Sequence, residues 1–66
     1  MISYEPFWNT LKKKNISQYM LIKKYGFSTG TLDALRKNRS ITLNTLYDIC
    51  VMINCEITDV VEFIKE

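Results

Sequence analysis

Between Ser17 and Leu35 the chain commits itself to one sharp corner joining two short helices. Ile16 followed by Ser17 gives a hydrophobic residue and then an N-cap, and Leu21, Ile22 and Tyr25 supply the buried side of the helix that follows. Gly26 ends that helix. A residue with positive φ stops a helix and swings the chain, and glycine adopts that conformation without a Cβ penalty. Phe27 plugs the corner and Ser28 caps the next helix, which turns Leu32 and Leu35 inward and Thr29, Gly30, Asp33, Arg36 and Lys37 outward. The outline is a helix-turn-helix over about residues 17–37.

The same reading places helices on either side. Pro6 suits a first helical turn, where its missing N–H is no loss, and Phe7, Trp8 and Leu11 recur at helical spacing before Lys12, Lys13 and Lys14. Trp8 offers an indole that could stack on a base, but its place on an apolar stripe with Leu11 favours the core. Asn38 can take the left-handed conformation that closes helix three. Thr42 then caps helix four, where Leu43, Leu46, Tyr47, Cys50 and Ile53 follow a helical stripe that ends at Asn54. A short fifth helix from about Ile57 to Ile64 carries Val60, Val61, Phe63 and Ile64, more apolar surface than one face needs. No strand pattern, internal repeat or low-complexity tract is evident. The expectation is an all-α, five-helix single domain over residues 1–66.

A chain of 66 residues, 47% of them hydrophobic, has the composition of a packed globule near the lower size limit for a core-stabilised fold. It leaves no room for a second, effector-binding or catalytic domain. Cys50 and Cys55 without any histidine are too few soft ligands for structural zinc, so they read as core thiols, with no metal and no cofactor expected. Neither a signal-peptide order nor an apolar run of about 20 residues is present, which points to a reducing, cytoplasmic setting and no membrane partner.

The formal charge of +2 hides a strong division. Residues 12–39 carry Lys12, Lys13, Lys14, Lys23, Lys24, Arg36, Lys37 and Arg39 against Asp33 alone. From Ser40 onward, Lys65 stands against Asp48, Glu56, Asp59, Glu62 and Glu66. A basic segment of this kind selects an anionic partner, nucleic acid foremost, or else is a solvated face.

Taken together, Ser17-Gln18, Leu21, Gly26-Phe27-Ser28, Thr31-Leu32, Leu35, Leu43, Leu46, Ile49-Cys50, Ile53 and Thr58-Asp59-Val60 stand at spacings that resemble the lambda repressor-like Cro/CI family, also called the Xre family, of helix-turn-helix regulators. The resemblance runs from about Tyr4 to Ile64. The opening Tyr4-Glu5-Pro6-Phe7-Trp8 and the two cysteines resemble a small single-domain branch from Gram-positive bacteria. Five positions depart from the family pattern: Ile22 replaces a usual alanine, Asn38 a common glycine, and Thr29, Gly30 and Thr31 stand where glutamine or arginine is frequent.

The resemblance implies a sequence-specific, DNA-binding transcription regulator, most simply a repressor at its own or a neighbouring promoter, with helix three in the major groove of double-stranded DNA. Base edges then fall to Thr29, Thr31, Asp33 and Lys37, with Gly30 permitting close backbone approach. Phosphate contacts fall to Ser17, Gln18, Asn38, Arg39, Thr42 and Asn44, helped by the N-terminus of helix four. Plainer roles compete: Thr31 can serve the Ser28 cap, and Asp33 can pair with Lys37. A two-fold homodimer, weak and formed on DNA, is expected through Met52, Val61 and Ile64. The alternative is a helix-turn-helix protein-binding adaptor or antitoxin-like module, motivated by the apolar, acidic C-terminal third. An enzyme is not expected, since the chain has no histidine, glycine-rich phosphate loop or room for a lined pocket.

Overall fold

The computed structural model describes residues 1–65. Its four α-helices are α1 Glu5–Lys14, α2 Gln18–Lys23, α3 Thr29–Arg36 and α4 Leu43–Met52. Three begin at the capping residues read from the sequence. Ser17, Ser28 and Thr42 each accept, at 3.1 Å, the backbone N–H three residues on, from Met20, Thr31 and Thr45. Such bonds satisfy N–H groups that the first helical turn would otherwise leave unpaired. The α1 helix has no side-chain cap and relies on Pro6 in its first turn.

The helix ends share one device. Asn15, Gly26, Asn38 and Asn54 all have positive φ, between 53° and 75°. After each asparagine the next N–H reaches back across the helix end: Ile16 to the Leu11 carbonyl, Arg39 to Ala34 and Cys55 to Cys50, all at 2.9 Å. These are Schellman closures, which satisfy carbonyls that the last turn leaves free. Gly26 gives a wider version, in which Phe27 N–H reaches the Leu21 carbonyl.

The core gathers residues from every helix. Tyr4, Phe7, Leu11, Leu21, Phe27, Leu32, Leu35, Ile49, Ile53 and Val60 are all buried. Phe27 occupies the corner of the helix-turn-helix with its ring centroid 6.2 Å from that of Phe7. Trp8 packs against this core, its ring set edge-on to Phe7 at 5.0 Å. Buried Thr10 donates to the Asp59 carbonyl at 2.8 Å, tying α1 to the C-terminal segment.

Three expectations are corrected. Ile22 is 41% exposed and does not belong to the buried side of α2, which Leu21 and the half-buried Met20 and Tyr25 provide. In α4 the inward stripe is Leu46, Ile49, Cys50 and Ile53, while Leu43 and Tyr47 stand 81% and 69% exposed. The helix is apolar over more than one face, so two stripes of equal period compete and only packing against the rest of the core selects between them. Finally, no fifth α-helix forms among the described residues. Ile57–Asp59 makes a single 3-10 turn, in which the Glu56 N–H is accepted by Asp59 Oδ2 at 3.0 Å.

The chain then extends as β2, Glu62–Phe63, antiparallel to β1, Ile2–Ser3, with Ile2 opposite Phe63 and Ser3 opposite Glu62. Met1 and Ile64 exchange two further backbone bonds, at 2.9 and 2.8 Å. Val60 closes the turn with a helical backbone, at φ −115° and ψ −46°, and aromatic Phe63 beyond it suits the extended course. Buried Val60 anchors the turn in the core.

Cys50 and Cys55 meet at the closure of α4, half-buried and without a disulfide between them. Burial pushes both thiols up, that of Cys55 to about 11 from an ordinary value of 9.0. Because the raised value belongs to the folded state, the thiols favour folding fully below pH 9.0, and that contribution is lost as pH rises towards 11. Iodoacetamide should therefore alkylate the folded protein more slowly than the urea-unfolded chain at neutral pH, with the difference closing towards pH 11. A second test concerns Asn38, whose Oδ1 accepts from the Tyr4 N–H at 3.0 Å. Asn38→Gly loses only that bond, and Asn38→Ala also meets left-handed strain. Urea denaturation should place the alanine variant lower, at a total cost of about 2 kcal/mol.

Candidate nucleic-acid interface

The outward side of α3 presents Thr29, Gly30, Asp33, Arg36 and Lys37 as the sequence suggested. Thr29 and Gly30 are exposed and open the helix, and nothing closer than 4.0 Å would meet a Cβ on Gly30. Thr31 is half-buried. Its N–H and its hydroxyl oxygen both bond Ser28 Oγ, at 3.1 and 2.9 Å, so it contributes to the cap and leaves its methyl for other contacts. Asp33 and Lys37 form an ion pair at 3.2 Å on adjacent turns. A pair this open is held only weakly and exchanges readily for a stronger partner.

The C-terminal end of α3 gathers most of the remaining polar groups. Arg36 Nε and Nη2 both donate to Gln18 Oε1, at 3.2 and 2.5 Å, joining the end of α3 to the start of α2. A guanidinium carries only donors, so it can engage only the oxygen of the carboxamide. The Gln18 amide N–H groups are thereby turned away from Arg36 and left available to an acceptor. Arg36 was not among the site residues expected from the sequence, because its partner lies 18 positions away and only the helix crossing reveals it.

Immediately after α3, Lys37, Asn38 and Arg39 are exposed. Asn38 spends its carboxamide oxygen on Tyr4, which leaves its amide donors. The Arg39 carbonyl accepts the Tyr4 hydroxyl at 2.6 Å, which fixes the backbone while the guanidinium stays in solvent. Burial pushes the Tyr4 phenol above its ordinary range, so this donor keeps its proton at neutral pH. Three residues further on, Thr42 opens α4 and holds its hydroxyl against Thr45, and Asn44 is exposed in the first turn. An N-terminus of this kind carries unpaired N–H groups and partial positive charge.

The structure thus brings Gln18, Arg36, Lys37, Asn38 and Arg39 around one end of α3, with Ser17 beside Gln18 and Thr42 and Asn44 a short loop away. Of the residues expected to mediate dimer contact, Met52 and Val61 are half-buried against the core, and Ile64 is 43% exposed. Among the described residues no group of His, Cys, Asp and Glu could hold a metal ion, and no helix is long and apolar enough to cross a membrane.

A capped two-helix corner, an outward α3 and cationic donors at its end together define a helix-turn-helix DNA-binding domain. The family model for the Cro/C1-type HTH DNA-binding domain matches residues 7–66, and the chain belongs to that family. Among solved structures it is similar to the transcriptional regulator VanUg, crystal form II, at 31% identity and a TM-score of 0.86, with 98% of this chain and 87% of that chain covered. No curated protein matches.

If Arg36 positions Gln18, replacing it should weaken binding evenly across DNA sequences. Fluorescence anisotropy should show a loss on the order of 1 kcal/mol for Arg36→Ala, with Arg36→Lys recovering the charge but only part of the affinity.

Proposed function

We propose that this Cro/C1-type domain is a sequence-specific regulator of transcription, acting as a repressor at its own promoter or a neighbouring one. The observation that carries the reading is the cluster of donors at the end of α3, where Arg36 holds Gln18 and Asn38 and Arg39 follow on a backbone fixed by Tyr4. These groups, with Ser17, Thr42 and Asn44, engage phosphates and set the register of α3 in the major groove.

Base selection then rests on Thr29, Thr31, Asp33 and Lys37. The Thr29 and Thr31 methyls meet thymine methyls, Asp33 accepts from a cytosine amino group, and Lys37 donates to guanine once the Asp33 pair opens. Gly30 lets the backbone come close. Small residues at the start of α3 supply less bidentate readout than arginine or glutamine would, so phosphate contacts carry a large share of the affinity. Repression is the simplest output, since covering a promoter requires occupancy alone.

An anisotropy titration of the protein against its own upstream promoter and a scrambled duplex, at two salt concentrations, tests the proposal. Selective binding that falls steeply with salt is expected, because each phosphate contact releases about one counterion. Affinity that hardly changes with salt removes the physical basis of the reading. Arg39→Ala should weaken binding to both duplexes and reduce the salt slope by about 1. The double substitution Lys37→Glu and Arg39→Glu should abolish DNA binding while leaving the fold intact.

A further inference from the structure

Cys50 and Cys55 occupy the two positions that the closure of α4 draws together. The Cys55 N–H donates to the Cys50 carbonyl at 2.9 Å, around Asn54 with its φ of 53°. An apolar pair commonly fills these two places in a Schellman closure, as Leu11 and Ile16 do at the end of α1. At the end of α4 both are thiols. With ordinary bond lengths on either side of that hydrogen bond, the two Cα atoms lie at most about 6.8 Å apart. A disulfide spans about 4.4–6.8 Å between Cα atoms and cannot form without backbone movement beyond about 7 Å. The side chains also share one outlet. Both line the groove formed with Leu46, Val51, Asn54 and Ile57, and both are only half-buried, so small solutes reach them.

We propose that Cys50 and Cys55 form a reversible dithiol–disulfide pair, a modification site closed by low-molecular-weight disulfides and reopened by the matching small thiols. In the first step the Cys50 thiolate attacks one sulfur of the small disulfide. That S–S bond breaks, a mixed disulfide forms on Cys50, and one small thiol leaves with the proton that Cys50 gave up. Cys55, once deprotonated, then attacks the Cys50 sulfur and displaces the second small thiol. Two electrons pass from the protein to the small disulfide, and excess small thiol reverses both steps.

The surroundings set the order and the pace. The two side chains hydrogen-bond to each other, which favours the thiolate on Cys50 and the thiol on Cys55, so Cys50 attacks and Cys55 resolves. Lys14, which donates to the Asn54 carbonyl at 3.2 Å, is the cation beside Cys55, while Glu56 and Asp59 oppose ionisation. Burial outweighs these and holds both thiols up, so exchange is slow at neutral pH, and the pair rests reduced wherever small thiols are abundant. Closing the bridge ties the last turn of α4 to the segment entering the Ile57–Asp59 turn, which Thr10 already holds to α1. Thr42 and Asn44 stand at the opposite end of α4, so the candidate phosphate contacts are left in place.

Equilibration with mixtures of reduced and oxidised glutathione, in buffer and in urea, followed by acid quenching and mass spectrometry, tests this. The expected product is a single chain lighter by the two thiol hydrogens, with an equilibrium constant at least about tenfold larger for the folded protein than in urea. Asn54→Ala strains the left-handed closure and should lower that constant in a chain that circular dichroism shows to be folded, whereas Asn54→Gly should restore it. Cys50→Ser and Cys55→Ser should each stop at the mixed disulfide. A folded wild type that stays reduced, carries two separate mixed disulfides, links two copies, or closes no more readily than the unfolded chain overturns the proposal.

Discussion

Tyr4 is the joint on which the DNA-facing end of the molecule depends. Its backbone N–H is accepted by Asn38 Oδ1 and its hydroxyl donates to the Arg39 carbonyl, while its ring lies in the core. One residue at the start of α1 thereby fixes the two residues that end α3 and lead to α4. Each bond is worth about 1 kcal/mol net, but the geometric effect is larger than the energy. A loop of exposed, charged residues would otherwise be free to drift, and the donors at the end of α3 would not share one orientation.

The caps make the rest of the corner economical. Each helix from α2 to α4 begins with a hydroxyl that closes its first turn, and each helix is followed within three residues by one of positive φ. These devices act locally, within a few residues, which is why most helix ends were legible in the sequence. Gly26, Asn38 and Asn54 were read as stops because glycine and asparagine tolerate the left-handed region. Asn15 has the same role, yet sat unnoticed beside the lysine run that marked the end of the first helix.

What was not legible depended on packing between distant segments. In α4, apolar residues on two stripes gave the sequence no means of choosing between Leu43 and Tyr47 on one side and Ile49 on the other. The C-terminal segment looked helical because its apolar residues are dense, but its partner is a strand some sixty positions earlier, and a two-residue strand leaves almost no alternating pattern to detect. The Arg36 to Gln18 contact was hidden for the same reason. The outward residues of α3, by contrast, follow from helix phase once Ser28 caps the helix, whereas base reading by Thr29, Thr31, Asp33 and Lys37 is what the family resemblance implies.

The pairing of Met1 with Ile64 closes the segment between them into a loop. Closing a loop of that length costs little more than closing one of half the length, since the entropy grows only with the logarithm of separation. Its consequence is one of timing. During synthesis the helices can begin to associate as they emerge, but the clasp cannot form until Ile64 has been made, so the segment before α1 gains this restraint only after all four helices.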